Sequence, residues 1–157
     1  MSEESDKLNK IAEYLRRINS KVLLLRLINQ AKAEYDKYDY KAGKQSLLKA
    51  LKLNDKNPLV YRGLGCVEQF SGNYDKAEEY FNLALKYSDN KEIEYTLIGM
   101  VYYIQNKLEE AVEYFNEAIN CNDNYISAYD ARNQAMLEHH LNILDLQESF
   151  EKSFKLM

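Results

Sequence analysis

The stretches GNYDKAEEYFNLALKYSDN (Gly72–Asn90) and NKLEEAVEYFNEAINCNDN (Asn106–Asn124) stand 34 residues apart and agree at eight of nineteen positions. In the first, Ala77, Phe81, Ala84 and Leu85 fall at i, i+4, i+7 and i+8, which is one face of a helix. Ala111, Phe115, Ala118 and Ile119 repeat that face. A second amphipathic segment precedes each copy, with Tyr61, Leu64, Gly65 and Glu68 before the first and Tyr95, Ile98, Gly99 and Tyr102 before the second. Each unit therefore reads as helix, turn, helix. SGNYD and QNKLE supply the turn inside a unit, and SDNKE and CNDNY separate one unit from the next. Gly65 and Gly99 lie within the expected helices, where Gly costs about 0.5–1 kcal/mol relative to Ala. The spacing marks them as positions where a side chain would obstruct close helix contact.

A further step of 34 residues toward the N-terminus brings YDYKAGKQSLLKALKLNDK into the same template: Tyr40, Leu47, Ala50, Leu51 and Asp55 take the places of Tyr74, Phe81, Ala84, Leu85 and Asp89. Its first helix places Leu27, Gln30, Ala31 and Glu34 at the contact positions. A 34-residue helix-turn-helix period with an aromatic, an aliphatic-Gly pair, and then Ala with an aromatic four residues on resembles the tetratricopeptide repeat. Tyr61 and Tyr95 stand for the family's usual Trp, Gly43 for its Ala and Gln30 for its Leu. The resemblance implies an all-α, right-handed α-solenoid with repeats at 24–57, 58–91 and 92–125. Residues 1–23 are expected to form an N-terminal helix with a stripe of Leu8, Ile11, Leu15 and Ile18, either a cap or a docking helix. Residues 126–157 are expected to form a partial fourth repeat and a C-terminal capping helix that covers the last repeat with Ile143, Leu146, Phe150 and Phe154.

Composition narrows the function. A chain of 157 residues with one Pro and five Gly holds one helical core, and a formal charge of −4 disfavours nucleic acid as a partner. No apolar run approaches the roughly 18 residues of a membrane span, and the polar start MSEESDKLNK lacks the order of a secretory signal. A cytoplasmic protein without membrane insertion is expected. Cys66 and Cys121 suit neither a CxxC site nor a disulfide framework and are expected as free thiols. His139 and His140 are adjacent and lack the i, i+4 spacing that commonly holds a metal. With no phosphate-binding Gly loop and no nucleophile motif, neither catalysis nor a cofactor or metal is expected.

Stacked repeats line a concave surface with the first helix of every unit, so a protein or peptide partner is expected there. The register aims Lys32 and Tyr35, then Arg62, Cys66 and Gln69, then Thr96, Met100 and Tyr103, and finally Gln134 into that groove, with Phe70 at its rim. Arg62 and Tyr103 are read as anchors whose removal leaves the fold intact. Some family members hold the acidic C-terminus of a heat-shock chaperone with a Lys, Asn and Arg clamp. The matching places here are Ile28, Lys32, Gly63, Ile93 and Leu97, so the resemblance does not extend to that ligand class. Three readings stand side by side: a module that binds a peptide or partner helix, a small bacterial secretion-type chaperone for a client protein, and a scaffold subunit that self-assembles as a homodimer through the N-terminal stripe.

Overall fold

The computed structural model of the chain describes residues 3–155, with the side-chain surroundings of 5–140 and 142–144. Among the described residues there are seven helices and no strand: α1 (Glu3–Tyr35), α2 (Tyr40–Leu53), α3 (Pro58–Phe70), α4 (Tyr74–Tyr87), α5 (Lys91–Ile104), α6 (Leu108–Cys121) and α7 (Ile126–Lys155). Helices α1 and α2, α3 and α4, and α5 and α6 pack as pairs, α4 meets α5, and α7 closes on α6. The result is a helical solenoid in which α1 touches α3 and α5 touches α7 along one side.

One turn, used in each repeat, sets the angle within a pair. Tyr38, Gly72 and Asn106, spaced by the repeat length, take left-handed backbone at φ 61°, 77° and 59°. The residue that follows donates its N–H back into the ending helix: Asp39 to Glu34 at 3.0 Å, Asn73 to Glu68 at 2.9 Å and Lys107 to Tyr102 at 3.0 Å. Its carbonyl then accepts from Gly43, Ala77 or Ala111 at 3.0 Å, the first bond of the next helix. A single residue thus satisfies a helix end and opens the helix after it. Asn57 starts α3, its side chain accepting from the N–H groups of Leu59 and Val60 ahead of Pro58 at the first helical position.

The core forms where a ring meets a glycine. A Cβ on Gly65 would lie 2.5 Å from Cε1 of Phe81, and one on Gly99 would lie 2.6 Å from Cε1 of Phe115. Both rings are wholly buried. The first repeat solves the same problem with other residues: Ala31 replaces the glycine because the smaller Leu47 replaces the ring, and Gly43 on the second helix replaces Ala77. A Cβ on Gly43 would come within 3.3 Å of the Ala31 carbonyl, so the small residue has moved to the opposite helix.

Buried polar groups tie neighbouring repeats together. Glu68, 2% exposed, accepts from Lys44 Nζ on α2 and from Asn73 Nδ2 at 2.7 Å. One repeat later, Glu78 and Tyr102 occupy the corresponding positions with donor and acceptor exchanged, and the Tyr102 hydroxyl donates to Glu78 at 3.0 Å. Burial pushes the Glu68 carboxyl up, but the hydrogen bonds from Lys44 and Asn73 outweigh it and hold the group below its ordinary value. The same bond to Glu68 raises Lys44.

The ends of the chain differ from the expected subdivision. No break falls at the expected boundary after residue 23, because α1 runs unbroken from Glu3 through it, where KVLLLRL contains no Gly, Pro or capping residue to stop it. The stripe of Leu8, Ile11, Leu15 and Ile18 is exposed and caps nothing among the described residues. The partial fourth repeat and the expected capping helix are likewise one helix, α7, in which Ala128 and Ala135 are buried and Ile143 is exposed. The side chains of Leu146, Phe150 and Phe154 lie outside the described residues.

Gly99→Leu should destabilise the protein by about 1–3 kcal/mol in chemical denaturation, since its side chain overlaps Phe115 and the second helix must move. Acidification should act through Glu68. A depressed folded-state value means that its contribution is present above the unfolded value near 4.5 and fades as the pH falls through the folded one. Lys44→Met should therefore be less stable than wild type at neutral pH, and urea titrations should show the gap narrowing in acid, where Glu68 becomes neutral.

Candidate functional site

A cleft of about 530 Å³ opens on the concave side between α1 and α3, over the base formed by Leu47 of α2. Ile28, Leu59 and Val67 make its walls apolar, while Lys32 on α1 and Asp36 in the turn just after it face Arg62 and Cys66 on α3. Of the residues that the register aims into the groove, Lys32, Tyr35, Arg62 and Cys66 therefore meet in one place. Tyr35 packs edge-on against Phe70 and Tyr40 with ring centroids 5.2 and 5.3 Å apart, which leaves Phe70 57% exposed at the rim. Desolvation, followed by the neighbouring Cys66, pushes the Tyr35 phenol up to about 12.

Arg62 is committed to the fold. Its Nε lies 3.1 and 3.2 Å from the two carboxylate oxygens of Glu94 on α5, and Nη2 donates to the same group. The Glu94 side chain is wholly buried and that of Arg62 is 23% exposed. A two-point bond of this geometry joins two adjacent repeats and cancels the cation that a carboxylate ligand would otherwise meet. The expectation that Arg62 can be truncated without touching the fold therefore conflicts with this pairing. Glu94 has a signal in the register: the corresponding positions one repeat away are Val60 and Ala128, both fully buried, so a Glu there requires a partner.

Tyr103, Met100 and Gln134 gather at the other end, whereas Thr96 and Gln69 do not join them. The Tyr103 hydroxyl donates to Glu138 of α7 and accepts from Gln134 Nε2 at 2.9 Å. That bond to Glu138, with burial second, raises the Tyr103 phenol. Met100 packs beside Tyr103 on the cluster around Ala111, Phe115 and Ala135. The Thr96 hydroxyl is turned back on its own helix, donating to the Glu92 carbonyl at 2.8 Å. Gln69 is half-buried and its carbonyl accepts from Gly72 in the turn. Burial lifts the Cys66 thiol to about 11, a rise that the nearby Arg62 opposes and Glu94 supports, so the group is a neutral apolar wall at physiological pH.

Tetratricopeptide repeat family models match residues 60–91 and 93–125. These two stretches are tetratricopeptide repeats. Solved tetratricopeptide repeat domains share the chain's architecture. The first such domain of Spaghetti (RPAP3), bound to the HSP90 peptide SRMEEVD, is 17% identical with a TM-score of 0.66 over 74% of this chain and 93% of that one. The OM64 domain of Arabidopsis is 16% identical with a TM-score of 0.67 over 76% of this chain and 98% of that one. The TPR2B domain of yeast Sti1, in its complex with pHsp70, is 11% identical with a TM-score of 0.67 over 74% and 98%. At these identities the likeness is one of fold. No curated protein matches the sequence significantly.

Between these tetratricopeptide repeats, Arg62→Ala should cost about 3 kcal/mol or more, because it strands a buried carboxylate. Combining it with Glu94→Val, the residue used at position 60, should restore most of that loss. Denaturation of the four members of the cycle would measure the coupling.

Proposed function

We propose that the chain is a non-catalytic protein-interaction module that takes a peptide segment or partner helix into its concave groove through apolar anchors. The cleft between α1 and α3 supports this reading: it is the right size for a few buried side chains, its walls are mostly apolar, and four of the residues aimed there by the register line it. The related fold of domains solved with HSP90 and pHsp70 partners is consistent with such a role. Ligand chemistry differs, however. With Arg62 neutralised by Glu94, and Lys32 accompanied by Asp36 one turn away, the cleft presents little net charge to a C-terminal carboxylate. Ile28, Gly63, Ile93 and Leu97 at the places of the chaperone clamp point the same way.

Peptides selected from a displayed random library against the whole chain would test the proposal by titration calorimetry. Leu59→Asp, at an exposed lining position, should weaken the selected peptides about tenfold or more, while Glu79→Ala on the outer face of α4 should leave them unchanged. Affinity should vary little with salt, and a peptide ending in Glu-Glu-Val-Asp should not compete. Loss of binding in Glu79→Ala with full binding in Leu59→Asp would transfer the site to the convex side.

A further inference from the structure

We infer that the N-terminal arm of α1 is one strand of a heterotypic coiled coil whose second helix is acidic. From Asp6 to Leu23 every residue except Ser20 is exposed, and Leu24 is the first residue to enter the core. Among the described residues the arm is thus helix without tertiary support, and an isolated helix of that length is marginal in water. Leu8, Ile11, Leu15, Ile18, Val22 and Leu25 recur at alternating spacings of three and four, and all of them are exposed, from 39% at Ile18 to 62% at Leu8. That alternation is the narrow core seam of a coiled coil rather than the broad apolar face of a helix lying on a body or in a lipid surface. At about 1.5 Å per residue the seam is about 26 Å long. It ends where the repeat begins, since the next two core places are Asn29 and Lys32.

Charge selects the occupant. From Asp6 to Arg26 the arm carries Lys7, Lys10, Arg16, Arg17, Lys21 and Arg26 against Asp6 and Glu13, although the chain as a whole is at −4. Glu13 lies opposite the seam and accepts from Arg17 at 2.6 Å. In the heptad frame Lys21 and Arg26 flank the core, and parallel pairing of two copies would set Lys21 of one against Arg26 of the other. An anionic bilayer would bring the acidic remainder of the protein toward a surface that repels it. A helix with apolar core positions and Glu or Asp at the flanking positions meets both the seam and its cationic borders, and it binds away from the concave cleft.

The test uses the full chain and two synthetic three-heptad peptides with Leu at the core positions, one with Glu and one with Lys at the flanks. The Glu peptide should bind and gain helicity, and the Lys peptide should bind at least about tenfold more weakly. Ile18→Asp should abolish binding while leaving the melting of the repeats unchanged, whereas Leu59→Asp in the groove should have no effect. Sedimentation should give a monomer, and vesicles containing phosphatidylserine should not retain the protein. Equal binding of the two peptides, binding of neither, a dimer dispersed by Ile18→Asp, or retention by vesicles lost on Ile18→Asp would each overturn the proposal.

Discussion

The contact of a phenyl ring with bare backbone, Phe81 on Gly65 and Phe115 on Gly99, governs the spacing of the helices within each pair. With no Cβ between them, the ring lies flush against the first helix and the two axes approach closely. The first helices of successive repeats are then held side by side along the concave surface. In the first repeat Ala31, Gly43 and Leu47 redistribute the same volume, so the constraint is on total size at the contact and not on one residue type at one place.

Once that spacing is fixed, the relation between repeats is set by partly buried polar bonds. Lys44 with Glu68, Glu78 with Tyr102 and Arg62 with Glu94 each bridge neighbouring repeats, and Tyr103 with Glu138 extends the pattern into α7. These bonds are directional where apolar packing is not, so they resist sliding of one unit over the next. They also consume the charge that a solenoid of this kind would offer to a charged ligand. The cleft that remains is an apolar one whose strongest cation is already satisfied from within.

The repeats themselves were legible because their signal is local: the period, the small residues and the ring positions all lie within one unit. The repeat register puts Lys32, Tyr35, Arg62 and Cys66 on one helix face or its neighbour, and all four line the cleft between α1 and α3. What those side chains bond to was less legible, because Arg62 and Glu94 lie 32 residues apart and meet only after two repeats have stacked. The unbroken course of α1 escaped for a different reason. Counting the period back from residue 58 marks where a repeat ought to begin, whereas a helix ends only where a capping or breaking residue ends it, and KVLLLRL has neither. Glu94 was nevertheless visible in principle as the one acid at a position that holds Val60 and Ala128 in the flanking units and Arg26 in the first.

The turn at Tyr38, Gly72 and Asn106 leaves no spare residue, since the group that finishes one helix is also the group that begins the next. An added or deleted residue there would rotate the following helix by about 100° and carry its ring off the glycine. Length drift during descent is therefore channelled elsewhere, into the segments between repeats and the free helical ends, or else arrives as gain or loss of a complete unit. A lineage of such chains would be expected to differ in how many units it strings together long before it differs in the size of one.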